Sequence, residues 1–249
     1  MEAIYTQNFH IMDNCVDRFG RLKLSTLLFN AQEVAGRHFD GLAMTYDQLE
    51  SKGMFWAIIR QRVAITRLPM SGETIRVETW PMPNTRVAYP RHVAAYDQQG
   101  NELFRVLSLW VLMDVNTRAM ILPGKSGICL PGTTQGNELP APGSLPAKQL
   151  LHHRVRPVCF TDLDRNGHMN NTRYMDWVTD LFPSAFHEGR ILRELSVCYF
   201  AESLEGDVLD LRRELPDPAA VQVDIHRMRD GREERVFSAR LSYELRAPL

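Results

Sequence analysis

The sequence is poor in the features that mark extracellular, metal-binding or membrane-spanning chains. Its four cysteines are far apart, with no CxxC pair and no histidine spacing typical of a zinc site, so neither a disulfide framework nor a structural zinc is predicted. We expect these cysteines to be reduced and mostly buried. No segment approaches about 20 consecutive apolar residues, and the first residues are polar and acidic. A soluble, cytoplasmic protein without stable membrane insertion is therefore expected.

An excess of charge of one sign is lacking as well. Lys and Arg total 29 against 30 Asp and Glu, which gives a formal net charge of −1. The composition therefore does not predict a nucleic acid as partner, and any charged partner must be bound by a local patch. No motif predicts a metal ion or a cofactor.

The chain does contain the pattern of one helix followed by several strands. With 249 residues, 44% of them hydrophobic, it can fill a sizeable core. Apolar residues recur at helical spacing over 23–38, which predicts an amphipathic helix. Turn signals containing Gly72 and Gly100 separate the β-rich stretches that follow, at 55–67, 74–80, 86–96 and 102–114.

The same order then occurs a second time. Residues 123–149 are rich in Pro, Gly and polar residues, which indicates a linker. A second amphipathic helix is predicted around 174–182, and Gly206 and Gly231 match Gly72 and Gly100 between strands near 192–201, 207–213, 220–229 and 234–246. We therefore predict an α+β fold of two tandem copies, 1–122 and 150–249. In each, a long antiparallel sheet would wrap around one helix, and the two sheets would pair edge to edge as a pseudo-dimer.

The two copies differ just before the helix. The first has Asp17-Arg18-Phe19-Gly20-Arg21-Leu22, and the second has Asp164-Arg165-Asn166-Gly167-His168-Met169-Asn170-Asn171. An extended backbone would turn Asp164, Asn166 and His168 toward the same side. Gly167 would let the chain pass close to a substrate, and Asn170 or Asn171 could cap a helix whose free amides suit an oxyanion. The alternative is that these residues are ordinary turn formers and a cap.

The run from Asp164 to Asn171, followed by Tyr174 and Trp177, resembles the Asp-x-Asn-x-His-Val-Asn-Asn signature of the fatty acyl-acyl carrier protein thioesterases of plants and bacteria. The resemblance covers nearly the whole chain. It implies two tandem hotdog units and hydrolysis of fatty acyl thioesters carried by an acyl carrier protein. Glu202 corresponds to a glutamate of the family's active site, whereas Ser203 replaces a cysteine once proposed as a nucleophile, which argues against a thiol mechanism.

The resemblance suggests a role for each polar residue. A thiol with a pKa near ~8.5 leaves easily, so the site must activate the attacker and stabilise an oxyanion. Asp164 is assigned as the general base for water or as a direct nucleophile, and Asn166 would hold the carbonyl or the water. The backbone N–H groups of Gly167 and His168 would donate to the oxyanion. His168 would position water or protonate the sulfur, and Glu202 would orient His168.

Substrate contacts are expected in the first copy, between its helix and its sheet, where the resemblance places chain-length selection. Candidate pocket residues, each of which could instead be plain core, are Phe29, Met44, Met54, Trp56 and Ile58. Acyl carrier proteins are acidic, so a basic patch is expected as well. Its candidates, which could equally belong to a solvated sheet face, are Arg60, Arg62, Arg67, Arg86 and Arg91.

Other functions remain open at this point. The same fold could act on coenzyme A esters, or it could be a non-catalytic sensor of acyl thioesters. A sensor would not need Asp164, Asn166, His168 and Glu202 together, and a hotdog dehydratase is less favoured still. Association into a homodimer is left open.

Overall fold

The structure is a computed structural model, which describes residues 3–42, 44–130, 132–134, 139–214 and 219–246. The chain divides into two compact units. The first unit comprises Met1–Leu22 and Leu27–Pro142, and the second comprises Lys23–Thr26 and Gly143–Leu249. Within the described ranges, no helix is both long and apolar enough to cross a membrane.

The first unit is an antiparallel sheet with one long helix. Strands β2 and β5 form the longest pairing, and the strand order is β1-β3-β4-β5-β2, with β6 added to β5. The elements are β1 (Tyr5–His10), α1 (Leu24–Gly41), α2 (Tyr46–Glu50), β2 (Met54–Ile65), β3 (Thr74–Pro81), β4 (Tyr89–Tyr96), β5 (Glu102–Asp114), β6 (Met120–Ile121) and α3 (Pro123–Ser126). The predicted helix and the predicted strands of the first copy are confirmed.

The long helix α1 forms because its apolar residues repeat at the spacing of one helical face. The residues on that face are all buried: Leu27, Leu28, Ala31, Val34 and Ala35. Further along α1, the ring of Phe39 stacks on Trp56 of β2 at 4.9 Å between centroids and shares a buried cluster with Tyr89 and Leu112. The helix therefore covers the sheet of the first unit.

The second unit repeats this arrangement. Its strand order, β8-β11-β10-β9-β7, has the same sequence of connections as β2-β5-β4-β3-β1. Gly72 and Gly206 both have φ near +83°, a left-handed conformation that glycine adopts without strain. The elements are β7 (His152–Pro157), α4 (Arg173–Thr179), α5 (Ser184–Glu188), β8 (Arg190–Tyr199), β9 (Val208–Arg213), β10 (Ala220–Arg229) and β11 (Arg232–Leu245). The predicted repeat of two hotdog units is confirmed.

Several local predictions were wrong or incomplete. The second helix is shorter than predicted, since α4 ends at Thr179 and Pro183 starts a separate helix, α5. The sheet-edge strands β1 and β7 were missed because their polar, largely exposed residues carry little apolar alternation. Of the four cysteines, all of which lie in described ranges, Cys198 alone is buried.

The segment 123–149, interpreted as a linker, is closely attached to both units. Ile128 and Leu130 belong to the buried cluster of the first unit. In the second unit, the Pro146 carbonyl accepts a hydrogen bond from Gln222 Nε2 at 2.8 Å. The described part of this segment is therefore packed onto the units rather than free of them.

Candidate active site

The residues from Asp164 to His168 form a tight turn rather than an extended strand. Asp164 Oδ1 accepts hydrogen bonds from the backbone N–H of Asn166 at 2.8 Å and of His168 at 3.3 Å. The turn is closed by Asp164 N–H donating to the His168 carbonyl at 2.7 Å, and Gly167 has φ +75°. The expectation of an extended backbone was wrong, because an Asp side chain that bonds its own following amides favours a turn. We name this segment the Asp164 turn.

The first unit contains the same turn, which we name the Asp17 turn. Asp17 Oδ1 accepts from the backbone N–H of Phe19 at 2.8 Å and of Arg21 at 3.1 Å, and Gly20 also has φ +75°. The aspartate at this position therefore has a structural role in both units. What distinguishes the second unit is Asn166 and His168 in place of Phe19 and Arg21.

The structure brings His168 and Glu202 together. His168 Nε2 lies 3.4 Å from Glu202 Oε2, with the two side chains 17% and 41% exposed. Their segments are joined by backbone contacts, since Met169 N–H donates to the Ser203 carbonyl at 2.8 Å and His168 forms a bridge with Leu204. The site thus has a histidine and a carboxylate in contact at a position that solvent reaches.

The corresponding position in the first unit lacks both groups. There Leu22 N–H donates to the Pro69 carbonyl at 2.8 Å and Arg21 forms a bridge with Met70, which matches Pro69 to Ser203. Leu68 therefore stands where the second unit has Glu202. Arg21 Nε turns back onto Asp17 Oδ2 at 2.9 Å and occupies the second oxygen of its own turn carboxylate. Asp164 Oδ1 makes both turn bonds, which leaves Oδ2 outside the turn.

The predicted oxyanion donors require a correction. The backbone N–H of Gly167 donates to the Asp164 carbonyl at 3.0 Å, and that of His168 donates to the Asp164 carboxylate, so both amides are already used within the turn. Residue Thr172, rather than Asn170 or Asn171, directly precedes α4. Asn170 Oδ1 instead accepts from Thr172 N–H at 2.9 Å. The side chain of Asn166, in the same turn, is exposed to solvent.

A buried carboxylate, for which the sequence predicts no role, supports the Asp164 turn. Asp162 is 1% exposed, and its Oδ1 accepts from Trp177 Nε1 and from Arg173 Nη2, each at 3.3 Å. Its carbonyl accepts from Asn170 N–H at 2.8 Å. Asp162 therefore ties both sides of the turn to α4. Alignment of the two copies distinguishes Asp162, because the first copy has Cys15 at the matching position.

Ser203, which stands where the family resemblance has a cysteine, is buried. Its Oγ accepts a hydrogen bond from Tyr174 Oη at 2.8 Å. Burial raises the pKa of Tyr174 to about 12, so the phenol stays protonated and donates. The Ser203 hydroxyl is therefore part of a buried hydrogen bond that joins α4 to the segment after β8.

The pocket candidates lie in different surroundings. Met54 belongs to the buried cluster around Phe39, Met44 and Trp56 are partly buried and pack against that cluster, and Ile58 is buried outside it. Phe29 is 50% exposed. Its assignment to the space between helix and sheet was wrong, because the neighbouring residues Leu27 and Leu28 occupy the buried face of α1.

The carrier-protein candidates also need correction. Arg91 is 1% exposed, since β4 is buried on both faces, and its Nη1 donates to Thr79 Oγ1 at 3.2 Å. Burial lowers the pKa of Arg91 to about 9. It therefore cannot contribute to a surface patch. Arg67 is paired with Glu73 at 2.9 Å, Arg60 and Arg62 are half-buried, and Arg86 is exposed.

No group of three or more His, Cys, Asp or Glu side chains in the described part of the chain is arranged to hold a metal ion. The chemistry of the site is that of an aspartate, an asparagine and a histidine–glutamate pair. Together with the two repeated units, this defines a double hotdog protein. Its second unit has an asparagine and a histidine–glutamate pair at a turn where the first unit has Phe19, Arg21 and Leu68.

Comparison with known proteins gives the family. The N-terminal and C-terminal domain models of the acyl-ACP thioesterases match residues 2–122 and 146–243. The palmitoyl-acyl carrier protein thioesterase of Gossypium hirsutum is 26% identical over 222 residues, which cover 83% of this chain and 54% of that protein. The chain belongs to the acyl-ACP thioesterase family. It spans about half the length of the curated relatives it matches.

Solved structures agree on the fold. An acyl-ACP thioesterase from Bacteroides thetaiotaomicron superposes with a TM-score of 0.85 at 25% identity, covering 97% of this chain and 98% of that chain. The 12:0-ACP thioesterase from Umbellularia californica has a TM-score of 0.81 at 20% identity, with 99% of both chains covered. The double hotdog architecture is thus shared along the whole chain.

Proposed function

We propose that this protein hydrolyses fatty acyl thioesters of acyl carrier protein, releasing a free fatty acid and the carrier's thiol. The observation that carries the proposal is the contact of His168 Nε2 with Glu202 Oε2 at 3.4 Å beside the Asp164 turn. The first unit has Arg21 and Leu68 at these positions, so the pair is not required by the fold. The family match and the names of the relatives supply the substrate class.

Asp164 is the proposed group that activates the attack. Its Oδ1 is held by two turn amides, and Oδ2 is the oxygen that accepts a proton from water as the water oxygen bonds to the thioester carbon. The carbon–sulfur bond then breaks, and a protonated His168 ring gives its proton to the departing sulfur. The proton on Asp164 then passes through water to His168, which restores both groups. Alternatively, Asp164 attacks directly and forms an anhydride that water hydrolyses. Solvent-derived ¹⁸O found in Asp164 after a single turnover would identify this second route.

Asn166 and Glu202 complete the proposed centre. The exposed amide of Asn166 donates to the carbonyl oxygen as negative charge develops on it, a contribution that is typically worth about 10²–10³ in kcat. Glu202 fixes the orientation of the His168 ring. The cluster of Met44, Met54 and Trp56 in the first unit is the proposed contact for the acyl chain.

The proposal is tested by comparing hydrolysis of the same acyl group on acyl carrier protein and on coenzyme A. We expect faster thiol release from acyl carrier protein than from coenzyme A across acyl groups of graded length. Faster release from coenzyme A would favour the alternative substrate class. Tight binding of both esters without thiol release would instead indicate a sensor.

A cytoplasmic location and self-association are further parts of the proposal. The relative from Gossypium hirsutum is described as chloroplastic, so the location of a tagged chain in its own cell decides the first point. Sedimentation of the purified chain decides whether it forms a homodimer.

A further inference from the structure

Glu202 lies in an irregular segment, so strand pairing does not fix its position. Strand β8 ends at Tyr199 and β9 begins at Val208. The Glu202 side chain is 41% exposed, and a glutamate in such a place has several rotamers open to it. Contacts from outside the segment must therefore hold its backbone if its carboxylate is to stay beside His168.

A buried arginine supplies such contacts. Arg227 lies on β10, and its side chain is 3% exposed. Its Nη1 donates to the backbone carbonyl of Glu202 and to Asp207 Oδ2, the latter at 2.8 Å, while Nε donates to Glu234 Oε2 at 2.8 Å. Because the guanidinium is planar and its N–H directions are fixed, these acceptors are held relative to one another. Burial lowers the pKa of Arg227, but the bonds to Glu234 and Asp207 outweigh it and raise the pKa overall.

Asp207 extends the same contacts toward the Asp164 turn. Its Oδ2 also accepts from Leu204 N–H at 2.9 Å. Burial would raise the pKa of Asp207, but the Leu204 amide and Arg227 hold it below its ordinary value, so the carboxylate stays charged. Glu202 and Leu204 are thus anchored on either side of Ser203, whose carbonyl binds Met169. One buried cation and its carboxylate partner therefore hold the backbone on both sides of Ser203, next to the His168–Glu202 contact.

We propose that Arg227 is a positioning residue that holds the Glu202 carboxylate against His168. This inference rests on the role given to Glu202 in the proposed function. The first unit agrees with it, because Leu68 stands at the position of Glu202 there and no carboxylate has to be held at that place.

A double-mutant cycle in kcat tests the inference, using Arg227→Lys, Glu202→Gln and the two combined. Lysine keeps the charge but cannot donate to Glu202 and Glu234 at once. We expect Arg227→Lys to lower kcat by about 10–100-fold with KM little changed, since displacement of a catalytic group by about 1 Å costs this much. On the Glu202→Gln background the same change should cost nothing further. Equal losses of kcat on both backgrounds would overturn the inference.

Glu234→Gln is the matched control. It weakens the opposite side of the same guanidinium and leaves Nη1 on Glu202 and Asp207. We expect kcat to stay near that of the unmodified chain and the Leu204 amide to keep its protection from hydrogen exchange, whereas Arg227→Lys speeds that exchange. Equal loss of kcat in Glu234→Gln would mean a merely structural role. Should Arg227→Lys not fold, Asp207→Asn takes its place in the cycle.

The outcomes also separate this inference from the proposed function. No thiol release by the unmodified chain, or full kcat in Glu202→Gln, would overturn the proposed catalytic role of Glu202 and with it the positioning role of Arg227. A clear loss in Glu202→Gln, combined with independent losses from Arg227→Lys, would overturn the role of Arg227 alone.

Discussion

Asp164 has two roles that a single substitution cannot separate, but the repeat supplies a matched control. Asp164→Asn and Asp17→Asn change the same atom of the same turn, since each carboxylate accepts two backbone N–H bonds through Oδ1. We expect Asp164→Asn to lower kcat by about 10³-fold, the typical size for loss of a general base. Asp17→Asn should leave kcat nearly unchanged.

The structural cost of the two substitutions should be similar. Asparagine still accepts through Oδ1, so each turn loses only the charge of its acceptor, a change on the order of 1 kcal/mol in the free energy of unfolding. Asp17→Asn also loses the ion pair with Arg21, which is partly exposed and contributes little. Urea unfolding should therefore give comparable losses for both variants.

The assay is thiol release from an acyl carrier protein substrate at saturation, measured beside urea unfolding for both variants. If the two substitutions lowered kcat equally, the loss would come from the turn and not from chemistry. If Asp164→Asn kept most of its activity, the assignment of Asp164 would be wrong.

Three further predictions follow from contacts elsewhere in the two units. Ser203→Ala should cost about 1–3 kcal/mol of unfolding free energy, because it leaves the Tyr174 hydroxyl buried without its acceptor, yet kcat should change little; a 10³-fold loss, as on removal of a nucleophile, would contradict the account. Met44→Ala should shift the preferred acyl length in a chain-length panel, because Met44 packs on the cluster around Phe39, whereas the control Phe29→Ala should not; equal profiles would exclude the cluster as the pocket. The folded pKa of Asp207 lies below its ordinary value of 3.8, so its contribution to stability is present above about pH 4 and is lost as pH falls through the lowered pKa. The difference in unfolding free energy between the unmodified chain and Asp207→Asn should therefore shrink below pH 4 in urea titrations, and a constant difference would contradict this reading.

Most of the fold could be predicted from the sequence because each unit repeats the same periodicities. The apolar face of α1 and the turn glycines Gly72 and Gly206 are local signals, and the structure confirms them. Edge strand β7 was missed because nearly all of its residues are exposed, so its sequence does not alternate between apolar and polar residues. Arg91 was misassigned because alternation of Arg with apolar residues normally indicates a strand with one solvent-exposed face. Strand β4 is instead buried on both of its faces.

The candidate site was only partly predictable. The density of polar residues at 164–168 is visible in the sequence, but their turn geometry depends on which amides the Asp164 side chain reaches. Glu202 was assigned from family resemblance alone, since a contact between residues 34 positions apart has no local signal. The contacts of Asp162 and Arg227 also have no local signal in the sequence. Asp162 binds Trp177 of α4, and Arg227 binds Asp207 in the segment before β9.

The central claim, that the second unit has the chemistry and the first does not, is tested most directly by giving the second unit the residues of the first. The measurement is kcat for thiol release from an acyl carrier protein substrate by the variant with both His168→Arg and Glu202→Leu. The first unit has these two residues, Arg21 and Leu68, at the matching positions of its own turn and strand end. We expect a folded protein whose kcat falls by at least about 10²-fold, the contribution typical of one acid–base group. A folded variant that retains the kcat of the unmodified chain would contradict this claim.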